Sequence, residues 1–163
     1  MEIQKNQVQC QFTLALLGIQ GDLDASNYLD LVDKVRKLHQ DEIKQIILDL
    51  SQVRFISSSG VVGLYWSLLL MNGYQVQESE DGWSTLHTVV KESRVLQKRI
   101  SLVSLQHGVD NTLDMAGMKN YFEIYSDMEQ YCFENGLATS SVANLFSAHL
   151  IIPVRKSKFL DLE

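Results

Sequence analysis

Two apolar runs separated by a short hydroxyl-rich turn constrain the fold of this chain more than any other feature. Residues 43–50, IKQIILDL, are rich in β-branched side chains and nearly all apolar toward the end, which is typical of a central strand. Residues 61–71, VVGLYWSLLLM, contain no proline and would form a helix that is apolar around most of its circumference. The turn between them, residues 55–62, reads FISSSGVV. A buried strand, a tight turn and a buried helix predict a layered α/β fold.

The remaining segments alternate in the same way. Residues 10–19 predict a strand, and a helix follows from Ser26, with Asp24 or Ser26 as its N-cap. The apolar residues of this helix recur at helical spacing: Leu29, Val32, Val35 and Leu38. Further along, the pattern predicts a strand at 101–105, a helix at 109–116 that stops at Gly117, and a strand at 122–124. A last helix is predicted to begin at a Ser126–Glu129 capping box and to end at Gly136. The alternation supports one α/β domain.

Composition excludes several classes of function. The formal net charge of −6 and the pI near 5.2 disfavour binding to a nucleic-acid backbone, which requires clustered Lys and Arg. The two cysteines, Cys10 and Cys132, lack both metal-site spacing and the density of a secreted scaffold. The longest apolar stretch is shorter than the ~20 residues that span a bilayer, and the start is a poor signal peptide. We therefore expect a cytoplasmic protein without a membrane span, a metal site or a cofactor.

Two segments depart from the alternation. Residues 73–83 are acidic and loop-like, and apolar residues at roughly helical spacing follow them: Leu86, Val89, Val90, Leu96 and Ile100. Together they predict an insertion at about 73–100 with its own short helix. Trp83 beside the acidic loop is either an exposed partner anchor or the hinge of that helix. Residues 136–163 form an extension whose apolar part, 142–152, requires a covering surface, either on the domain or on a second chain.

Ser58, at the centre of the turn, has four interpretations. A catalytic nucleophile would require the G-x-S-x-G elbow or a positioned base, and the histidines are scattered along the chain: His39, His87, His107 and His149. A phosphate loop would require the glycine and lysine spacing that this turn lacks. Ser57 or Ser58 as a helix N-cap is the simplest structural interpretation. The fourth is a phosphorylation switch, which the wider sequence favours.

Residues 46–64, IILDLSQVRFISSSGVVGL, resemble the signature of the STAS family, the anti-sigma factor antagonist domains, in which a DLS.V.FIDSSG pattern joins the central strand to the next helix. Residues 18–27, GIQGDLDASN, are similar to the family's G-E-L-D-A turn. Residues 102–130 are similar to its closing strand, helix and GL...F.IY.S.EE segment. The resemblance covers most of residues 1–135, except the insertion.

The resemblance implies an architecture and a role. It implies a mixed β-sheet packed with helices, an inserted segment before the fourth sheet strand, a STAS-like domain at 1–135 and an extension at 136–163. It also implies a non-enzymatic switch whose partner is an anti-sigma factor or related serine protein kinase, with a serine phosphatase reversing the modification. By alignment the phosphate acceptor is Ser58, with Ser57 and Ser59 as less favoured acceptors. The implied partner-binding residues are Gly21, Asp22, Asp24, Ser57, Ser59 and Gly60.

One residue departs from the family pattern, because Ser57 stands where the family has Asp. The change removes a negative charge that the kinase would encounter. Two alternatives therefore remain. One is a non-phosphorylated STAS scaffold that oligomerises through the insertion or tail, and the other is a small-ligand sensor, which would require a pocket with convergent polar groups.

Overall fold

Four parallel strands form the sheet of the computed structural model, which describes residues 14–76 and 96–138. They are β1 (Leu14–Gln20), β2 (Gln45–Gln52), β3 (Ile100–Val103) and β4 (Glu123–Tyr125), side by side in chain order. Leu48 of β2 pairs with Leu17 of β1 and with Leu102 of β3. Because every pairing among the described strands is parallel, their carboxyl ends meet at one edge of the sheet. The predicted α/β fold is confirmed.

Helices cover both faces of this sheet. They are α1 (Tyr28–Gln40), α2 (Ser58–Met71), α3 (His107–Met115) and α4 (Met128–Glu134), and a short 3-10 helix (Lys119–Tyr121) precedes β4. Buried side chains of α1, α2 and α3 join one large apolar cluster, whereas those of α4 join a smaller one. Ile46 and Leu48 of β2 belong to the large cluster and Ile47 to the small one, because successive strand residues point to opposite faces. β2 is therefore the central buried strand that its sequence predicts.

Two predicted helix caps are wrong by one or more positions. The N-cap of α1 is Asn27, whose side chain makes no capping hydrogen bond, and not Asp24 or Ser26. The Asp24 carboxylate accepts hydrogen bonds from Ser26 in the turn that precedes the helix. The N-cap of α4 is Asp127, whose side chain accepts a hydrogen bond from the Gln130 amide at 2.7 Å. The capping pair is therefore shifted by one residue from the predicted Ser126–Glu129 pair.

Other boundaries agree closely with prediction. Gly117 and Gly136 end α3 and α4 with positive φ angles of 68° and 64°, which glycine adopts without strain. Cys132 packs in the small cluster, where burial raises the pKa of its thiol above the usual value. Ile100 begins β3 and so is not part of a helix within the insertion.

Several predictions fall on residues outside the described ranges. They concern Cys10, most of the insertion with Trp83, Leu86, Val89 and Val90, and the tail beyond residue 138. The strand that would make the sheet mixed is not among residues 14–76 and 96–138, where the sheet is parallel throughout. In those same ranges no helix has both the length and the apolar character needed to cross a membrane.

Candidate functional site

The turn between β2 and α2 presents the three consecutive serines, and Ser57 is the cap of α2. Its backbone is extended, with φ −78° and ψ 172°, and its hydroxyl oxygen accepts a hydrogen bond from the Gly60 amide at 3.2 Å. Its carbonyl accepts the Val61 amide at 2.9 Å. Of the two serines considered for capping, the structure therefore assigns the role to Ser57.

Ser58 is the first residue of α2, and its side chain is exposed. Ser59 is half-buried. Within the described ranges, neither hydroxyl takes part in a side-chain hydrogen bond. The three serines thus differ in what they offer to a second protein: Ser57 is engaged by the helix, Ser59 is partly covered, and Ser58 is free and accessible.

The Gly21–Asp24 turn lies directly against this site. The Leu23 amide donates to the Phe55 carbonyl at 3.1 Å, and the Leu23 carbonyl accepts from the Ser57 amide at 2.9 Å. These bonds form a parallel bridge between Leu23 and Ile56. A third bond, from the Gly21 amide to the Gln52 carbonyl at 2.9 Å, extends the contact. Backbone hydrogen bonds therefore join the Gly21–Asp24 turn to the turn that carries the serines, and they fix the relative positions of the exposed side chains on the two turns.

The Asn27 side chain is hydrogen-bonded to the backbone of the Gly21–Asp24 turn, and the sequence analysis missed this residue. Its side chain is only 3% exposed. Its amide nitrogen donates to the Asp22 carbonyl at 2.7 Å, and its side-chain oxygen accepts the Asp24 amide at 2.9 Å. These bonds satisfy backbone groups of the turn internally, and Asp22 itself is exposed. Its burial and its two partners depend on the folded turn, so the sequence alone carried no signal for this residue.

Gly60 is buried and therefore contributes nothing to a binding surface. A Cβ atom at this position would lie 2.8 Å from Ile56 Cγ2 and would also collide with the Leu23 carbonyl oxygen. The absent side chain lets the first turn of α2 approach the Gly21–Asp24 turn. Gly60 therefore positions the candidate site and does not form part of its surface.

The start of α3 adds a third segment to the same edge of the sheet. The Gln106 side chain donates to the Ser51 carbonyl at 2.7 Å. A Cβ atom on Gly108 would lie 3.0 Å from the Arg54 carbonyl oxygen, so the α3 terminus also approaches the chain closely. The chain after β2 is therefore fixed from both sides, by the Gly21–Asp24 turn and by α3.

A depression that is partly open to solvent lies beside the serines. It is lined by Gly21, Asp22, Gln52, Arg54 and Phe55. The Phe55 side chain is 54% exposed, although phenylalanine usually lies in the core. Sequence analysis assigned no role to Arg54 or Phe55, because their exposure depends on Val53 and Ile56 taking the buried positions on either side of them.

The candidate metal ligands and catalytic bases of the described residues lie at separate places in the fold. Residues 14–76 and 96–138 contain no group of three His, Cys, Asp or Glu side chains that could hold a metal ion. His39 lies near the end of α1, at the edge of the sheet opposite the serines. His107 begins α3 and its ring contacts Asn111. His87 and His149 lie outside the described residues.

Comparison with a family model confirms part of the resemblance that the sequence motifs indicated. The model of the STAS domain matches residues 5–67, a range that contains the Gly21–Asp24 turn, β2 and the three serines. Two solved structures resemble this chain. The unphosphorylated form of the anti-sigma factor antagonist SpoIIAA is 12% identical, with a TM-score of 0.43, over 78% of this chain and 92% of that chain. A sulfate transporter family protein from Wolinella succinogenes is 14% identical, with a TM-score of 0.42, over 83% and 88%.

Proposed function

We propose that this chain, whose residues 5–67 match the STAS domain, is a protein-binding switch controlled by reversible phosphorylation of Ser58. The observation that carries the proposal is the accessibility of Ser58 at the first position of α2, in a turn bonded to Gly21–Asp24. Ser57 and Ser59 are poorer acceptors, because the Ser57 hydroxyl caps the helix and Ser59 is half-buried.

The position suits a change of surface charge without a change of fold. A phosphate adds about −1.5 to −2 charges at neutral pH and three acceptor oxygens. At the N-terminus of α2 this charge faces the positive end of the helix dipole, and the first turn contains no acidic side chain that would repel it. The phosphorylated chain therefore keeps its structure, while a partner fitted to a neutral hydroxyl is repelled.

The proposed partner is an anti-sigma factor or a related serine protein kinase, and a serine phosphatase would reverse the modification. The contact surface comprises Asp22, Asp24, Ser58 and Ser59, held in place by Gly21, Ser57 and Gly60. Ser57 replaces the acidic residue of the family motif and caps α2 without a charge. We propose a cytoplasmic, non-enzymatic role for the domain at 1–135, with the extension at 136–163 as a candidate for oligomerisation.

Mass spectrometry of the protein from its own cells tests the acceptor. Fragmentation of the tryptic peptide that begins at Phe55 distinguishes phosphate on Ser57, Ser58 and Ser59. We expect phosphate on Ser58. We also expect Ser58→Asp to weaken the partner complex by about tenfold or more, which corresponds to about 1.4 kcal/mol, because the added charge repels a partner fitted to a neutral hydroxyl. Ser58→Ala is the matched control and should bind like the unmodified chain. Unmodified Ser58 under varied growth, together with full partner binding by Ser58→Asp, would refute the switch.

A further inference from the structure

Phe55 is an exposed aromatic side chain on a rigid backbone. Its carbonyl accepts the Leu23 amide, and its neighbours Val53 and Ile56 are buried. The preceding carbonyl, of Arg54, is approached closely by Gly108 of α3. Because the backbone that carries the ring is already fixed, a partner that covers the ring does not have to order this segment, which favours its use as an interface anchor.

Two opposite charges lie beside the Phe55 ring and form no ion pair with any residue of 14–76 or 96–138. Asp22 and Arg54 both line the depression, and both are exposed. Within the described part of the chain neither side chain forms an ion pair, although three other ion pairs occur there: Asp33–Arg36, Lys98–Glu123 and Asp110–Lys119. One acidic and one basic group beside an exposed ring are available for charges of a partner.

We propose that Asp22, Arg54 and Phe55 form a protein-docking face, the Phe55 face, that determines which partner binds. The partner presents an apolar cleft for the Phe55 ring, a basic side chain toward Asp22 and an acidic side chain toward Arg54. The expectation that the occupant is a different protein rests on the proposed function. The depression is partly open to solvent, whereas a pocket for a small molecule usually encloses most of its ligand.

The three residues have different tasks on this face. The ring supplies apolar contact area and accounts for most of the affinity, since aromatic anchors at the centre of an interface carry most of its energy. The two exposed charges select the partner and its orientation more than they add affinity, and salt weakens their effect. Ser58 begins α2 three residues after Phe55, so phosphate there would add negative charge near the same surface.

Photo-crosslinking in the native cells identifies the occupant. The full chain carries p-benzoylphenylalanine in place of Phe55 or, as the matched control, of Phe133, an 86% exposed phenylalanine of α4. We expect a protein crosslinked at position 55 and not at position 133. No crosslinked protein at position 55 would overturn the proposal, as would crosslinking only to a second copy of this chain.

Affinity measurements with the partner protein that crosslinking identifies, purified separately, then test the Phe55 face itself. We expect Phe55→Ala to weaken binding by about tenfold or more, whereas Phe133→Ala leaves it unchanged. Asp22→Arg and Arg54→Glu should each weaken binding at low salt, and the loss should shrink at high salt. Unchanged affinity of Phe55→Ala, with its fold verified by circular dichroism, would overturn the proposal. If Phe55→Ala fails to bind but Ser58→Asp binds fully, the docking face stands and the phosphorylation switch fails.

Discussion

The first turn of α2 and the remainder of the same helix have opposite characters. Ser58 is exposed and Ser59 is half-buried, whereas every residue from Gly60 to Met71 is buried. Most surface helices have one polar face, but the body of α2 has none, and its Ser67 hydroxyl bonds to the Gly63 carbonyl of its own helix at 2.7 Å. The accessible chemistry of α2 is therefore confined to its N-terminal end.

This contrast explains how a short exposed turn can have a defined geometry. A helix packed around its whole circumference cannot rotate or slide without opening contacts, because protein interiors are densely packed. The close approach of Gly63 to Tyr28 of α1, where a Cβ would lie 3.0 Å from the Tyr28 Cβ, adds to this restraint. The buried body of α2 therefore fixes the position of Ser58 relative to Asp22.

The largest effect is expected from shortening a side chain in the body of α2. Leu68 is fully buried, so Leu68→Ala should lower the free energy of unfolding by about 2–5 kcal/mol, through lost burial and the cavity that remains. Urea denaturation followed by circular dichroism measures the loss. Leu29→Ala, at a half-buried position of α1, is the matched control and should cost clearly less. Equal losses at the two positions would show that the body of α2 is not the tightly packed element described.

A smaller effect, confined to the join between the two turns, is expected from Gly60→Ala. The added Cβ collides with the Leu23 carbonyl, and that oxygen cannot retreat without weakening its bond to the Ser57 amide. We expect a loss of about 1–3 kcal/mol from overpacking, reduced by up to ~1 kcal/mol because alanine favours helix. Denaturant unfolding measures it, and partner binding should weaken as well.

Gly18→Ala provides the control for this substitution. An added Cβ at Gly18 of β1 has no neighbouring atom within 4 Å, so little change in stability is expected. If Gly60→Ala proved as stable as Gly18→Ala, the turn around Leu23 would be able to move, and the fixed geometry of the candidate site would be refuted.

Sequence patterns could predict the buried framework because burial is recorded in hydrophobic spacing. The apolar residues of β2 and α2 indicated a covered strand and helix, and both are buried as expected. The motifs also indicated that Gly21–Asp24 and the serines belong to one site. The sequence could not assign the cap between Ser57 and Ser58, because both hydroxyls can reach a free amide and only the backbone angles decide.

The exposed residues were harder to predict for a physical reason. The spacing of residues 53–56 does not specify which of the three apolar side chains, Val53, Phe55 or Ile56, faces water. That outcome depends on the Leu23–Ile56 bridge, a contact between segments distant in sequence. Asn27 was missed for the same reason, since its partners Asp22 and Asp24 are known only when the turn is folded.

The smallest effect tests the division of labour among the serines. Ser57→Ala removes the acceptor for the Gly60 amide, so it should cost about 1 kcal/mol of stability, the usual contribution of an N-cap. Ser58→Ala should cost almost nothing, because this side chain is exposed and makes no hydrogen bond within the described ranges. Ser57→Asp should retain the cap and gain from the helix dipole, by about 0.3–1 kcal/mol at low salt. Thermal or urea unfolding of the three variants measures these differences.

A loss for Ser58→Ala as large as that for Ser57→Ala would mean that both hydroxyls support the helix. Ser58 would then be engaged in the fold and not free for a modifying enzyme, and the contrast between the first turn of α2 and its buried body would no longer hold.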